Sequence, residues 1–318
     1  MKYYAGIDLG GTFVKCGIVD GNGKIIAKDK IPTGAEREYT LIARDMAELA
    51  VGLAAKSGVK IEAVGIGAPG TIDSENGVVV YSNNIKWKNV PLAAEMSRLM
   101  SIATAMTNDA NAAALGESYA GAGRNYKSSV FITLGTGVGG GIVLDGKLYE
   151  GGRSAGAEIG HILVKPNGRR CTCGRRGCLE AYASASALVR STKRAMLRDR
   201  SSALWRLVCG DVSRVDGKTA FDGMAAGDPA ATRVVDEYIG YLADGIADIV
   251  NVLRPDVVLI GGGVSAQGET LLGPLRERVR RDVFGGMDYA ETKILAASLG
   301  NDAGIIGAAR LAMIKSAE

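Results

Sequence analysis

The sequence contains no apolar run that approaches the roughly 18 residues a membrane-spanning helix needs. Its first residues, MKYYAGIDLGG, carry one lysine and no apolar segment long enough for a secretory signal peptide. The net charge is only +4, and the pI of about 8.7 lies below the value of roughly 9 typical of nucleic-acid-binding domains. We therefore expect a cytoplasmic protein that binds neither membranes nor nucleic acid.

Histidine and cysteine are also scarce. The chain has a single histidine, His161, and five cysteines. An odd number of cysteines in a chain expected in a reducing compartment disfavours a disulfide framework. Cys16 and Cys209 stand alone among apolar neighbours, so we expect both to be inert core residues.

The other cysteines lie together in the stretch CTCGRRGC, which begins ten residues after His161. Three cysteine thiolates and a histidine make a Cys₃His set, which is a known ligand composition of structural zinc sites. A histidine that is merely exposed, or satisfied by hydrogen bonding, is the alternative. We predict a structural Zn²⁺ site whose ligands are His161, Cys171, Cys173 and Cys178.

A metal ion at this place would hold together two segments that each carry a carboxylate, AGAEIGH with Glu158 and CLEAY with Glu180. Two fixed carboxylates beside an imidazole suit a polyol, because they accept hydrogen bonds from vicinal hydroxyls. The same loop carries several arginines, which favour a solvated rim, with an anion- or nucleic-acid-binding patch as the alternative. These arginines are Arg169, Arg170, Arg175 and Arg176.

Glycine, in contrast, is abundant, with 45 residues that cluster after apolar segments. Glycine lets backbone amides approach phosphate oxygens closely, and a carboxylate at a strand end holds Mg²⁺ through its waters. Each of the stretches DLGGT, LGTGVGGG and GGGV is either an ordinary turn or part of a phosphate site, and their number favours the second. The residues expected to bind the nucleotide and its Mg²⁺ are Asp8, Gly10, Gly11, Thr12, Lys15, Gly135, Thr136, Gly137, Gly261, Gly262 and Gly263.

The stretch TNDANAAALGE places Asp109 at the beginning of a predicted helix. Asparagine and aspartate are favoured there as N-caps, since their side-chain oxygens accept amide protons. A general base is the other interpretation, because phosphoryl transfer needs one acceptor for the proton of the attacking hydroxyl. With the glycine loops in the same chain, we predict that Asp109 is this base.

Strand-like and helix-like segments alternate along the chain, which is typical of an α/β protein. Two stretches, AGIDLGGTFVKCGIVDGNGK and VFITLGTGVGGGIVLDGK, share a strand–glycine turn–strand pattern, either through internal duplication or as two independent hairpins. We expect a small α/β domain at 1–107, with a C-terminal helix at about 302–318 packing back on it, and a large α/β domain at 108–301 that carries the zinc loop. Helices are predicted at 41–55, 92–100, 111–120, 184–197 and 230–253.

Through GAEIGH followed by CTCGRRGCLE, the chain resembles the ROK family of sugar kinases and sugar-responsive repressors, most closely its bacterial ATP-dependent glucokinases. The resemblance covers nearly the whole chain. It implies an actin-like ATPase (ribonuclease H-like) fold with two α/β domains flanking a cleft, and a homo-oligomer, either dimer or tetramer. It implies that Asp109 activates the sugar 6-hydroxyl, and that His161 contacts sugar as well as zinc. The sugar-binding residues it implies are Asn84 (with Asn83 as alternative), Asn108, Asp109, Glu158, His161 and Glu180.

The activity implied by the resemblance is transfer of the γ-phosphoryl of ATP to the 6-hydroxyl of a hexose, most simply glucose to glucose 6-phosphate. Kinases for N-acetylmannosamine, N-acetylglucosamine, fructose or allose share these motifs and are the alternatives. A sugar-responsive repressor of the family needs a helix-turn-helix before the kinase-like body. The first predicted strand begins at Tyr3, which disfavours that class.

Overall fold

The computed structural model describes residues 1–286, 288 and 291–317. The chain forms two compact units: Met1–Phe131 with Gly141–Ala157 and Ala297–Glu318, and Ile132–Gly140 with Glu158–Ala296. These bounds differ from the domains 1–107 and 108–301 expected from the sequence, and that division remains a prediction. No helix in the described part of the chain is both long enough and apolar enough to cross a membrane.

Strands and helices alternate as expected for an α/β protein. The strands are β1 (Tyr3–Leu9), β2 (Phe13–Asp20), β3 (Ile25–Pro32), β4 (Ile61–Ala68), β5 (Thr71–Asp73), β6 (Val78–Ser82), β7 (Trp87–Val90), β8 (Ala103–Asn108), β9 (Ser129–Leu134), β10 (Val138–Leu144), β11 (Lys147–Tyr149), β12 (Val257–Gly261) and β13 (Lys293–Ala296). The helices are α1 (Tyr39–Lys56), α2 (Leu92–Met100), α3 (Asp109–Ala120), α4 (Glu180–Ala183), α5 (Ala185–Arg198), α6 (Leu204–Leu207), α7 (Thr219–Ala225), α8 (Pro229–Leu253), α9 (Glu269–Asp282) and α10 (Ala303–Lys315).

The first unit is built on a mixed sheet in the order β3-β2-β1-β4-β8. β1 is antiparallel to β2 and parallel to β4, and it is covered on both faces. Ile7 and Leu9 point into a core shared with α1 and α2, whereas Tyr4 packs with Ile305 of α10 on the other face. A Cβ at Gly6 would overlap the Ile305 carbonyl oxygen, so glycine is needed where α10 crosses the strand.

The second sheet has the order β11-β10-β9-β12-β13, in which β10 and β11 are antiparallel and β12 and β13 are parallel. In each sheet, three strands that are consecutive in the chain lie side by side, and two later strands extend the sheet. The glycine turns after β1 and after β9 occupy equivalent places in the two sheets. This shared topology favours internal duplication over two independent hairpins. A separate small sheet has the order β5-β6-β7.

The helices predicted from periodicity are confirmed, with ends shifted by at most a few residues; α2 has the predicted bounds 92–100. The region 198–218, which carries no clear periodicity, contains only short helical turns such as α6. The small β5-β6-β7 sheet was not predicted. Its strands are short and alternate poorly, because only Val79 and Ser82 of β6 are buried, so the pairing depends on contacts that are distant in sequence.

Candidate active site

The DLGGT turn connects β1 and β2, and its acid is paired with a lysine on the next strand. Asp8 lies opposite Lys15 in the antiparallel register, and Lys15 Nζ donates to Asp8 Oδ2 at 2.9 Å. The turn is closed by Gly10 N, which donates to Phe13 O at 2.9 Å. Both charged side chains keep part of their surface accessible. A strand end with an accessible carboxylate, an ammonium and side-chain-free amides suits a magnesium-bound polyphosphate.

Asn84 lies beside this turn. A Cβ placed on Gly11 would sit 3.3 Å from the Asn84 carbonyl oxygen, so the two backbones are close neighbours. The Asn84 side chain is exposed. The predicted sugar-contacting asparagine and the predicted phosphate turn therefore meet within the first unit.

Asn108, not Asp109, is the N-cap of α3. Its Oδ1 accepts from Ala110 N at 2.9 Å and its Nδ2 donates to Gly70 O at 3.0 Å. Asp109 is the first residue of the helix, and its Oδ1 accepts from Ala110 N at 2.8 Å. The Asn108 side chain adds a weaker favourable interaction with the same carboxylate. The structure thus separates the two roles that the TND stretch left open, because the cap is supplied by the neighbour.

The carboxyl of Asp109 is unusually weak as an acid. The residue is exposed by its solvent-accessible area, but many protein atoms surround the carboxyl and desolvate its charged form. Desolvation exceeds the opposing effect of the hydrogen bond from Ala110 N, and the negative charge of Asp8 adds to it. Together they raise the pKa of Asp109 to about 6. A carboxylate with a pKa near neutrality is a better proton acceptor than an ordinary aspartate.

A hydroxyl–carboxylate network supports this end of β8, and the sequence did not point to it. Thr107 Oγ1 donates to Glu150 Oε1 at 2.6 Å, and Ser74 Oγ donates to Glu150 Oε2 at 2.9 Å. The hydroxyls of Ser74 and Ser154 are 2.5 Å apart. Glu150 therefore ties together three segments that are far apart in sequence, one of which leads directly to Asn108. No local pattern marks these residues, because each is an ordinary polar side chain in its own segment.

The predicted metal ligands converge in the second unit. One ligand atom from each of His161, Cys171, Cys173 and Cys178 lies within 4.8 Å of all the others. Cys173 Sγ and Cys178 Sγ are 3.7 Å apart, and His161 Nδ1 is 3.7 Å from Cys171 Sγ. Tetrahedral coordination at Zn–S distances of about 2.3 Å places ligand sulfurs about 3.8 Å apart. The donor set and its spacing fit a metal ion, and His161 Nε2 is left for another partner.

Glu180 is connected to this cluster through Thr172. Thr172 Oγ1 donates to Glu180 Oε1 at 2.7 Å, and Cys171 Sγ lies 3.4 Å from the same oxygen. Val138 N donates to the other oxygen, Oε2, at 3.2 Å. Sequence reasoning missed Thr172. Its position between two cysteine ligands was the signal, because a hydroxyl in a metal loop is held where it can donate to a nearby carboxylate.

Glu158 precedes a single turn of 3₁₀ helix, Ile159–His161, and its carbonyl accepts from His161 N at 3.0 Å. Its side chain is exposed and has no hydrogen-bonding partner in the described part of the chain. The turn can lie against β10 only because residue 160 is glycine, since a Cβ there would overlap the Val138 carbonyl oxygen. The EIGH motif and Glu180 thus both contact Val138.

The other two glycine clusters meet in the second unit. Gly262 has a φ of +81°, and a Cβ on it would lie 2.5 Å from Leu134 N. The carbonyl of Gly135 accepts from Ala185 N at 2.8 Å, which fixes the loop to the start of α5. Thr136, Gly262 and Gly263 are exposed, so this part of the surface presents backbone groups without large side chains.

Comparison with known proteins agrees with the family that the sequence motifs predict. The family model of the ROK family matches residues 4–315. The chain belongs to the ROK family. A glucokinase of Thermotoga maritima is 41% identical over 307 residues, which is 96% of each chain.

Two solved ROK structures resemble the whole chain. A glucokinase from Streptomyces griseus, in complex with glucose and AMPPNP, has a TM-score of 0.81 and 38% identity, covering 98% of this chain and 99% of that one. A ROK hexokinase from Thermus thermophilus has a TM-score of 0.85 and 36% identity, covering 98% of each chain. The actin-like ATPase fold predicted from the sequence is confirmed.

Proposed function

We propose that this ROK protein is a glucokinase, which transfers the γ-phosphoryl group of ATP to the 6-hydroxyl of glucose. The single observation that carries the proposal is Asp109, whose exposed carboxyl and pKa of about 6 match a proton acceptor for a sugar hydroxyl. Its support is the full-length similarity to glucokinases, one of which binds glucose and an ATP analogue.

The chemistry requires few covalent steps from the protein. As the bond between the sugar O6 and the γ-phosphorus forms, the bond from that phosphorus to the β,γ-bridging oxygen breaks, and ADP leaves. The proton of the 6-hydroxyl passes to Asp109 Oδ2. We assign the backbone amides of Gly10–Thr12 and Gly135–Gly137 to the phosphates, and Gly261–Gly263 to the nucleoside. We assign the Lys15 ammonium, which donates to Asp8, to neutralise phosphate charge.

Two metals belong to this proposal. Asp8 would hold Mg²⁺ through waters, and bound Mg²⁺ supplies charge neutralisation on the phosphates. His161, Cys171, Cys173 and Cys178 would hold Zn²⁺, which supplies stability and no reactive position, because four protein ligands close a tetrahedral site.

Sugar recognition is assigned to the residues expected from the family resemblance. The carboxylates of Glu158 and Glu180 accept from ring hydroxyls, and His161 Nε2 donates or accepts. Asn84 and the remaining N–H of Asn108 Nδ2 also bind ring hydroxyls. An oligomeric state of dimer or tetramer and a cytoplasmic location remain expectations.

A coupled ADP-release assay across glucose, mannose, fructose, N-acetylglucosamine, N-acetylmannosamine and allose tests the proposal. We expect the highest kcat/KM with glucose. A higher kcat/KM for an N-acetylated sugar or for fructose would assign the protein to another kinase of the family. Absence of ADP release with every sugar would reject a kinase function altogether.

A further inference from the structure

One face of α5 carries positive charge that the proposed reaction does not use. The helix contains four basic residues and no acidic one. Arg190, Arg194 and Arg198 follow one another at intervals of four residues, so they line the same face. Like charges at this spacing destabilise a helix, and no ion pair to a carboxylate relieves them among the described residues.

Two further cations adjoin this face and are held by aromatic rings instead of acids. Arg169 is half-buried, its guanidinium lies 4.8 Å from the centre of the Tyr182 ring, and it donates to Ser191 Oγ on α5 at 3.1 Å. Lys165 Nζ donates to Tyr241 Oη at 2.7 Å and lies 5.3 Å from the centre of the Tyr241 ring. Cation–π contacts fix the direction of a cation without neutralising its charge.

The cations are mutually close. Arg169 donates to Ser191 Oγ of α5, and it lines both cavities described below together with Arg194. An anion that binds among these cations relieves their mutual repulsion.

Two open cavities, of about 590 and 360 Å³, share Arg169, Arg194 and Glu237. Their walls together present five cationic side chains, including Arg198 and Arg233, against three carboxylates. Of the carboxylates, Asp199 is engaged by Ser201 N and Oγ. Burial and the neighbouring acids Asp282 and Asp248 raise the pKa of the second, Asp244. Glu237 is the third. The balance of charge at this surface is positive.

We propose that this surface, defined by Lys165, Arg169, Arg194, Arg198 and Arg233, binds a phosphate-type anion, either free phosphate or the phosphate group of a phosphomonoester. Guanidinium groups match phosphate geometry through paired N–H donors, and the two ring-held cations are oriented in advance. The site lies on the second unit alone. It adjoins both ends of the metal loop, because Arg169 precedes Cys171 by two residues and Tyr182 follows Glu180 by two.

Isothermal titration calorimetry with inorganic phosphate, at fixed ionic strength, tests this site. The protein is first saturated with glucose and AMPPNP so that anions cannot enter the glycine loops. We expect saturable binding, weakened at least about tenfold in the double variant Arg194→Ala/Arg198→Ala. Arg206→Ala, an exposed arginine on α6 outside both cavities, is the matched control and should stay within about twofold of the parent. Circular dichroism and melting curves establish that each variant is folded, and Arg233→Ala provides an independent second test.

Glycerol 3-phosphate in a parallel titration distinguishes the sources of the anion. Tighter binding of the ester identifies a phosphomonoester site, and equal or weaker binding identifies a free-phosphate site. Absence of saturable binding, or equal affinity in the parent and both arginine variants, overturns the proposal. So does sedimentation that shows a self-associated parent and a monomeric double variant, because the arginines would then contact a second copy of the chain.

Discussion

The hydroxyl of Thr172 donates a hydrogen bond of 2.7 Å to Glu180 Oε1. Thr172 stands between two cysteines of the candidate metal cluster, and Glu180 is a proposed sugar-binding carboxylate. The metal loop therefore contacts Glu180 through Thr172 and Cys171, and the contribution of the Thr172 hydroxyl can be tested by a conservative substitution.

Thr172→Val removes this hydroxyl at nearly constant volume and leaves the metal ligands intact. A hydrogen bond to a charged group contributes roughly 1.5–3 kcal/mol, so we expect the KM for glucose to rise about tenfold or more. The KM for ATP and the metal content should not change. Thr172→Ser keeps the hydroxyl and should behave like the parent; if both variants lose glucose affinity equally, the hydroxyl is not the orienting group.

Asp109→Asn keeps the size of the side chain and removes the proton acceptor. A positioned general base contributes about 10²–10⁴-fold to the rate, so we expect kcat to fall by at least about 100-fold. Glucose binding, measured by tryptophan fluorescence or calorimetry, should remain within a few-fold of the parent. Turnover near the parental rate in this variant would show that Asp109 is not the base.

Activity should depend on pH through the same carboxyl. Because the pKa of Asp109 is raised to about 6, the base is increasingly protonated below that pH, and log kcat/KM for glucose should fall with a slope of about one per unit. The folded state also binds this proton more tightly than an unfolded chain with a pKa near 3.8. The contribution of this group to stability is therefore present below about pH 4 and is lost as the pH rises through 6. An acid limb centred near 4 would contradict the desolvated environment of Asp109.

Cys173→Ser removes one ligand of the candidate zinc site. Structural zinc contributes on the order of 10–16 kcal/mol in small zinc-finger peptides, so the variant should lose bound zinc and melt at a markedly lower temperature. Glucose affinity should fall with it, because Glu180 loses its support. Cys209 is exposed, so the core position expected for it from the sequence is wrong, and it lies outside the cluster. Cys209→Ser is therefore the matched control. Elemental analysis that finds no zinc in active parent protein would end the zinc assignment.

The buried carboxylate of Glu117 connects α3 with the segment before α10 through hydrogen bonds. It is 0% exposed, and it accepts from Ser298 N at 2.9 Å, Leu299 N at 2.7 Å and Ala122 N at 3.0 Å. Glu117→Ala removes the charged acceptor of these three N–H groups, and hydrogen bonds to a charged group contribute roughly 1.5–3 kcal/mol each, so we expect the unfolding free energy to fall by at least about 3 kcal/mol.

The exposed Glu75 provides the control for this change, since Glu75→Ala should alter the unfolding free energy by no more than about 0.5 kcal/mol. Denaturant titration with both variants measures the difference. Similar midpoints for the two would mean that other contacts hold the segment before α10.

The sequence by itself determined the chemistry that is local in the chain. Helix periodicity specified α1, α2 and α8, because an amphipathic helix is encoded by neighbours three and four residues apart. The ligand types of the metal cluster and the glycine turns were equally visible, since their function requires particular residues at short spacing. The resemblance carried by GAEIGH and CTCGRRGCLE then predicted the family and its fold.

Only the tertiary structure decided matters that depend on distant segments. It assigned the α3 cap to Asn108 and left the Asp109 carboxyl exposed, and it joined Thr107 to Glu150 and Thr172 to Glu180. It also placed Arg169 against Ser191 of α5, in a cavity that Arg194 and Arg198 line as well. These relationships come from side chains brought together by sheet pairing and helix packing, and such contacts leave no periodic trace in the sequence. The raised pKa of Asp109 also depends on the tertiary structure, because desolvation comes from all the protein atoms around the carboxyl and not from the TND stretch alone.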